Sequence, residues 1–491
     1  MADVNQFSLT STLAGFAYIG LIISFVLIVI MRRRPVGVSL SWLLLLFVLP
    51  VAGIILFLMF GTQRLGSKRL RRAEALAPTY SDWMRHLRQV LSLQHSQSEA
   101  STLRQNRVYS LAEHTTRIPA TPGNQLMLFH DTDDIFKHLT QDINHAKSSI
   151  NMEFYICETG GRVDRVIEAL EAAAQRGITC RLLLDAVGSH SFLRSQIVLR
   201  LRKAGIQVQM SLPVGPVRML FERMDLRNHR KLVIIDDDIA WTGSLNLADP
   251  MLFKQNMGVG QWVDAVVRIQ GPAAHVSGAV FHYDWAMETG EEIPIYHQTF
   301  VYQHSLAENS VSLHVVPSGP GPDRTTIHRA LLAAIYESQK ELIITTPYLV
   351  PDEALVTALC SAAMRGVRVT LITPQKTDSR MAYYASRSFY EDLLNAGITI
   401  LHFTEGLLHT KCVLVDRKTV LFGTVNLDMR SVWLNFELTL IIYDQGFGEN
   451  VANLLKEYMS ASQSVSPEAW MKRGLLEKLR ENSAQLLSPL L

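Results

Sequence analysis

Cysteine is scarce and scattered in this 491-residue chain: Cys157, Cys180, Cys360 and Cys412 form no C-x-x-C pair and join no Cys/His cluster at zinc-ligand spacing. A disulfide framework is unsupported, and buried thiols are the expectation. An excess of charge of one sign is equally wanting, because 47 Lys and Arg oppose 45 Asp and Glu for a formal net charge of +2. So small an excess supplies no general polyanion-binding surface, and no nucleic-acid partner is expected. A hydrophobic fraction of 48% suits a soluble protein, so any membrane-embedded part has to be local.

Charge is absent altogether from residues 4–31, and positions 14–31 are almost wholly apolar until Arg32, Arg33 and Arg34 end the run. A second uncharged run extends from Pro35 to Gln63, with its apolar heart at Trp42 to Phe60. Each exceeds the about 20 residues that a helix needs to cross a bilayer. The basic flank follows the first run, whereas a signal peptide carries it in front. The pattern predicts a two-helix transmembrane hairpin over residues 1–63, with helices over about 9–31 and 39–60 and a kink at Pro50. Two crossings would leave the N-terminus and the rest of the chain on one side. The cluster Arg64, Lys68, Arg69, Arg71 and Arg72 favours the cytoplasmic side, and it suits anionic headgroups.

Residues 64–120 read as a polar, partly helical connector, with Trp83, Leu87, Val90 and Leu91 at helical spacing. Strand-like and helix-like segments then alternate, and they restart after Pro317, Gly319, Pro320, Gly321 and Pro322, which has the composition of a linker. Both restarts have one rhythm: the strand Ile150 to Tyr155, a helix, Arg176-Gly177 and the strand Cys180 to Leu184, then Leu342 to Tyr348, a helix, Arg365-Gly366 and Val367 to Ile372. That is a βαβ unit used twice, and it predicts an α/β chain with tandem domains over 121–310 and 311–491. The C-terminal segment, with Trp470, Leu475, Leu476 and Leu479 beside Lys472, Arg473, Lys478 and Arg480, is amphipathic.

The chemical signal is a second duplication. His229, Lys231, Asp236, Gly243, Ser244 and Asn246 are followed by His409, Lys411, Asp416, Gly423, Thr424 and Asn426, at a constant offset of 180 (409 − 229). On a strand His229 and Lys231 share one face, as do His409 and Lys411, while Asp236 and Asp416 have the opposite parity and read as structural, fixing the turn that follows. An imidazole can attack phosphorus or carry a proton. Lysine supplies positive charge for non-bridging oxygens, and Asn, Ser and Thr supply hydrogen-bond donors. Each imidazole needs an acceptor on its other nitrogen, for which Asp264 and Glu437 are candidates.

H-x-K-x-x-x-x-D followed by G-[ST]-x-N, present twice, resembles the phospholipase D superfamily over nearly all of the chain after residue 120. The apolar hairpin, Gly243 to Leu247, Leu407 to Lys411, Gly423 to Ser431, Trp433 to Glu437 and Ser488 to Leu491 are similar to bacterial cardiolipin synthases. The resemblance implies two tandem domains facing each other as a pseudo-two-fold, bilobal catalytic unit with one shared site. It implies phosphatidyl transfer between two phosphatidylglycerol molecules, giving cardiolipin and glycerol through a phosphatidyl-histidine. His229 is then the nucleophile and His409 the acid and base, with Lys231, Lys411, Asn246, Asn426, Ser244 and Thr424 on the phosphate. Asp236 and Asp416 enter the catalytic motif by the same resemblance, against their parity. No metal and no cofactor are implied. The expected partners are phospholipids and the bilayer, and the expected place is the bacterial inner membrane, as a multi-pass protein. Val217 to Met224, apolar residues alternating with Arg218 and Arg223, suits an interfacial segment. A phospholipase D releasing phosphatidic acid is the alternative, since water and a lipid hydroxyl attack the same intermediate; a non-catalytic scaffold is another. Lipid range and oligomeric state stay open.

Overall fold

In the computed structural model, which describes residues 2–32, 36–61, 65–94, 103, 106–215, 223, 225–291, 310–321 and 324–487, the first apolar run is one helix, Ala2–Met31. Its Leu13–Met31 part is long and apolar enough to cross a membrane. The second run departs from the expected single helix. It forms Val36–Val48 and Pro50–Phe60, with Leu49 between them at φ −132° and ψ 70°. Pro50 has no N–H to continue the hydrogen-bond ladder, and its ring suits only the first turn of a new helix. The Trp42 and Phe57 rings stand 5.2 Å apart, where a straight helix would separate them by roughly 22 Å. The chain therefore folds back at Leu49. A Cβ on Gly53 would meet the Leu45 carbonyl oxygen at 2.9 Å, so the close approach of the two short helices needs glycine there. Val29, Leu46 and Phe57 are the buried centre of this part.

This part, Met1–Leu70 with Val214–Asp225, is one of two units; the other is Arg71–Pro213 with Leu226–Leu491. Arg33, Arg34, Arg64, Pro322, Ser488 to Leu491 and the stretch 217–224 apart from Arg223 lie outside the described residues.

In the second unit the connector packs on the sheet. Helix Ser67–Gln94 buries Trp83 and Leu87 in the main core, and helix Arg107–Thr116 is capped by the Asn106 side chain, which accepts from the Val108 and Tyr109 amides. The first half contributes β1 (Thr121–Phe129), β2 (Ser149–Phe154), β3 (Thr179–Asp185), β4 (Gln207–Ser211), β5 (Leu232–Ile235), β6 (Ile239–Gly243), β7 (Trp262–Val263) and β8 (Val266–Gln270). The second contributes β9 (Val311–Ser318), β10 (Glu341–Thr345), β11 (Leu349–Val350), β12 (Arg368–Pro374), β13 (Thr399–Phe403), β14 (Leu407–Leu408), β15 (Cys412–Val415), β16 (Thr419–Gly423), β17 (Leu427–Asp428), β18 (Glu437–Tyr443) and β19 (Ser462–Ser464).

Most of these form one 15-stranded sheet. From its middle outward the first half runs β1-β8-β6-β5-β2-β3-β4, and the second runs β9-β18-β16-β15-β10-β12-β13, with β19 on the far edge. Antiparallel pairing of β1 with β9 joins the halves edge to edge. Both expected βαβ units are present, β2 to β3 through helix Arg162–Gln175 and β10 to β12 through helix Glu353–Met364. Their Arg-Gly pairs end the helices, since Gly177 and Gly366 take left-handed φ values of 86° and 91° that favour glycine. Helices Pro272–Thr289 and Gln445–Ser460 share a core on one face that runs across both halves, while each half covers its other face with its own helices.

The Pro317 to Pro322 linker is corrected. Pro317 lies within β9, opposite Leu438 of β18. β1 pairs with β9 only at Val311 and Leu313, so the missing N–H of Pro317 faces a side where no strand pairs. The second half has therefore already begun by Val311.

Candidate active site

Two central strands carry the motif. β5 lies between β6 and β2, β15 lies between β16 and β10, and all residues of both are buried. A strand clamped on both sides and packed on both faces holds the residues before it firmly. Just ahead of each strand stand the histidine and lysine, all four buried. Each ammonium donates to the carbonyl of its own histidine, Lys231 to His229 at 2.8 Å and Lys411 to His409 at 2.5 Å.

The carboxylates reach the histidines across the halves. Nδ1 of His229 donates to Oε2 of Glu437 at 2.9 Å, and Nδ1 of His409 donates to Oδ1 of Asp264 at 2.6 Å. Main-chain bonds set this crossing. The His229 amide donates to the Phe436 carbonyl at 2.9 Å, one residue before Glu437. The His409 amide donates to the Val263 carbonyl at 2.8 Å, one residue before Asp264, and β14 pairs with β7 in parallel. In each case the residue that fixes a histidine's backbone precedes the residue that fixes its ring.

Burial is the main force on the imidazoles. It takes His229 down to about 4 against the pull of Glu437, and His409 down to about 3. The Lys411 charge also acts on His229, and the Lys231 charge on His409, so both pairs lie in one electrostatic field. Burial raises the Glu437 and Asp264 carboxyls, but imidazole and ammonium outweigh it and both are held low. Burial lowers Lys231 to about 8 and takes Lys411 well below the ordinary lysine value. Near neutral pH the rings are neutral and the carboxylates ionised. Nδ1–H is committed to the carboxylate, and Nε2 keeps its lone pair with no protein partner among the described residues. The edge of Tyr155 meets His229 at 5.1 Å between ring centres, and Trp262 lies 4.5 Å from His409.

Not every expected residue joins this cluster. Ser244 donates to Asp264 at 2.6 Å and accepts from the Ala265 amide at 3.0 Å. Thr424 donates to Glu437 at 2.5 Å and accepts from the Leu438 amide at 2.9 Å. Each hydroxyl commits its one proton to the same carboxylate oxygen that holds the imidazole, so in this arrangement neither has a proton to give a phosphate. Asn246 does differ: its carbonyl oxygen accepts from Ile156 at 3.3 Å and its NH₂ has no protein partner among the described residues. The Asn426 side chain bonds to Asp428.

Asp236 and Asp416 lie roughly 20 Å along the strands from the histidines, so the structure does not bring them to the cluster. Asp236 accepts from the amides of Lys147, Ser148 and Ser149 at 2.8, 2.7 and 3.0 Å. Asp416 accepts from Gln339, Lys340 and Glu341 at 2.9, 2.8 and 2.8 Å. Each also opens a tight hairpin turn with φ near 50°, which aspartate tolerates better than most residues. They tie a central strand to the start of its neighbour.

Arg230, between His229 and Lys231, was missed. It is buried, pairs with Asp284, and donates to the Glu437 carbonyl at 3.0 Å. Its opposite parity was the available signal, since a charge pointing into a core needs a buried partner. Repetition concealed it, because Thr410 stands at the equivalent place and bonds to Tyr458 at 3.0 Å. Among the described residues no group of acidic, His and Cys side chains could hold a metal ion.

A duplicated α/β sheet that brings two histidine–lysine pairs into one field defines a phospholipase D-like enzyme. The sequence matches the family described as cardiolipin synthase, PLD-like domain, over residues 139–285 and 331–461, and a phospholipase D-nuclease N-terminal family over residues 20–61. It is 45% identical over 487 residues to cardiolipin synthase A of Edwardsiella ictaluri (strain 93-146), covering 99% of each chain. It is also 45% identical over 486 residues to cardiolipin synthase A of Yersinia pseudotuberculosis serotype IB (strain PB1/+), again covering 99% of each. The phosphatidylserine synthase of Haemophilus influenzae Rd KW20 shares the fold, with a TM-score of 0.57, 15% identity, and coverage of 79% of this chain and 100% of that one. The chain belongs to the cardiolipin synthase family, the phosphatidyltransferases of the phospholipase D superfamily.

Proposed function

We propose that the chain joins two phosphatidylglycerol molecules into cardiolipin and glycerol, and that one histidine from each half works on the same phosphorus atom. Nε2 of His229 attacks phosphorus, the bond from phosphorus to the glycerol oxygen breaks, and protonated His409 gives that oxygen its proton. Neutral His409 then takes the proton from a hydroxyl of a second phosphatidylglycerol. That oxygen attacks phosphorus, the phosphorus–nitrogen bond breaks, and His229 is restored. Lys231, Lys411 and the amides of Asn246 and Asn426 meet the non-bridging oxygens, whose negative charge helps His409 gain its proton on binding. Glu437 and Asp264 orient the rings and stabilise the imidazolium. The observation that carries this reading is the pair of cross-half Nδ1 bonds, which leaves each Nε2 available.

Membrane attachment belongs to the same reading. The apolar helix through Met31 crosses the bacterial inner membrane, and the fold-back at Leu49 makes the second run one that enters and returns. Both basic clusters, Arg32 to Arg34 and Lys68 to Arg72, then lie on one side. The positive-inside rule makes that side cytoplasmic, together with the catalytic unit.

Purified protein given labelled phosphatidylglycerol as the only lipid tests the activity. Cardiolipin and free glycerol are the expected products; phosphatidic acid as the main product would favour hydrolysis instead.

A further inference from the structure

Helix Leu475–Leu486 is amphipathic with its polar side turned inward. Glu481, fully buried, accepts from Arg387 at 2.9 Å and from Arg473 at 3.1 Å, and Glu477 accepts from Arg387 at 3.2 Å. The two guanidiniums lie over Trp470, 4.5 and 4.2 Å from its ring centre. The opposite side is leucine: Leu475, Leu476, Leu479 and Leu486 are 84, 61, 60 and 82% exposed. Helical geometry places these four, with Ser483 among them, within a sector of about 100°, facing away from Glu481. Apolar residues scattered singly on a surface need no explanation, but a contiguous stripe does.

Contacts link the stripe to the residues around His409. Its helix packs on helix Arg380–Ser388, where Met381 is exposed. The loop before that helix presents Asp378 to Lys254 of the first half at 3.0 Å. Around Lys254, Met251, Leu252 and Met257 are 50, 59 and 47% exposed. The Lys254 ammonium stands 5.6 Å from the ring centre of Trp262, the same ring that packs on His409. Apolar side chains are thus exposed at both ends of a path that begins at the reacting histidine. Lys376, Arg380, Lys472 and Arg480 are exposed along the same segments and pair with no carboxylate among the described residues.

We propose that loop 250–258 and the leucine face of helix Leu475–Leu486 rest on an anionic phospholipid surface, so that lipid reaches the histidines from the His409 side; this rests on the lipid-transferring function above. Exposed leucine and methionine enter the acyl boundary, and the unpaired cations meet the phosphates. A second copy is a poorer occupant, because it would bring the same cations against these.

The test uses the full chain in phosphatidylglycerol nanodiscs, in a Cys360→Ser background, with an environment-sensitive fluorophore at Leu479→Cys, Met251→Cys or Leu199→Cys. Leu199, 51% exposed on helix Gln196–Lys203, is the control. Acyl-brominated lipid is expected to quench the probes at 479 and 251 roughly twofold or more while sparing 199. The doubly substituted Leu476→Gln, Leu479→Gln chain is expected to need a roughly tenfold higher lipid mole fraction for half-maximal rate. Unquenched probes at 479 and 251, with a Leu21→Cys probe quenched in the same discs, would overturn the proposal. So would oxidation joining two Leu479→Cys chains in place of quenching. Quenching is read without turnover, so a docked chain that makes no cardiolipin would support this surface and count against the synthase reading alone.

Discussion

Nδ1 of His229 donates to Glu437 at 2.9 Å, although the two residues belong to different halves of the chain and lie 208 positions apart. His409 and Asp264 repeat the relationship in the opposite sense at 2.6 Å. Each half thus holds the motif histidine of the other. Glu437→Gln and Asp264→Asn should each lower kcat by about 100-fold or more while KM stays within about threefold, because the carboxylate fixes the tautomer and stabilises the imidazolium without touching substrate. Steady-state kinetics on lipid vesicles check this. A change in KM alone would assign the carboxylates to binding.

Ser244 and Thr424 give their hydroxyl protons to those carboxylates. Ser244→Ala and Thr424→Val remove one buried hydrogen bond to a charged group, worth about 1.5 kcal/mol or more, and should lower kcat about tenfold with KM unchanged. A rise in KM with kcat preserved would return the hydroxyls to the substrate.

Asp236→Asn should leave kcat of the folded protein within about twofold but lower the melting temperature by a few degrees, because it removes a carboxylate that gathers three backbone amides. The backbone and Ser148 hydrogen bonds outweigh desolvation and hold its pKa below the ordinary aspartate value. A depressed folded-state pKa means that this stabilisation is complete above the ordinary carboxylate range and is lost as pH falls through the lower value. Thermal melts of wild type and variant should therefore converge in strong acid.

Burial takes the Lys231 ammonium down to about 8. The lysine is charged below that value and neutral above it, so kcat/KM for the anionic lipid should fall about tenfold per pH unit above about pH 8. A flat profile to pH 10, where an ordinary lysine titrates, would show that the ammonium is not needed for attack.

Much of this was legible in the sequence because the molecule is written twice. The offset of 180 residues exposed both histidine–lysine pairs, and the paired strand, helix, Arg-Gly and strand segments gave the sheet's βαβ units. Repetition also set the limit. A pattern within one half cannot reveal that β7 pairs with β14 or that the His229 amide bonds to Phe436, and those contacts cross the carboxylates between halves. Asp264 and Glu437 could be named as acceptors, but nothing in the sequence says which histidine each one takes. Strand parity separated Asp236 from His229 correctly in space, yet the motif pulled it back among the catalytic residues. Parity had no purchase on Ser244 and Thr424, which follow the ends of β6 and β16, where alternation stops. In the second apolar run composition gave length and hydropathy, while the fold-back at Leu49 depended on Pro50 starting a new helix and on Gly53 letting that helix approach Leu45.

Mapping the covalent intermediate tests the shared site most directly. With the general acid removed in His409→Ala, a phosphatidyl donor carrying an activated phenol in place of glycerol still allows attack on phosphorus but not transfer to a lipid hydroxyl. Mass spectrometry should then find one acid-labile phosphatidyl group, on the peptide bearing His229, and none in His229→Ala. Label retained in His229→Ala, or turnover to cardiolipin by both variants at the wild-type rate, would contradict a mechanism in which the two imidazoles divide one reaction.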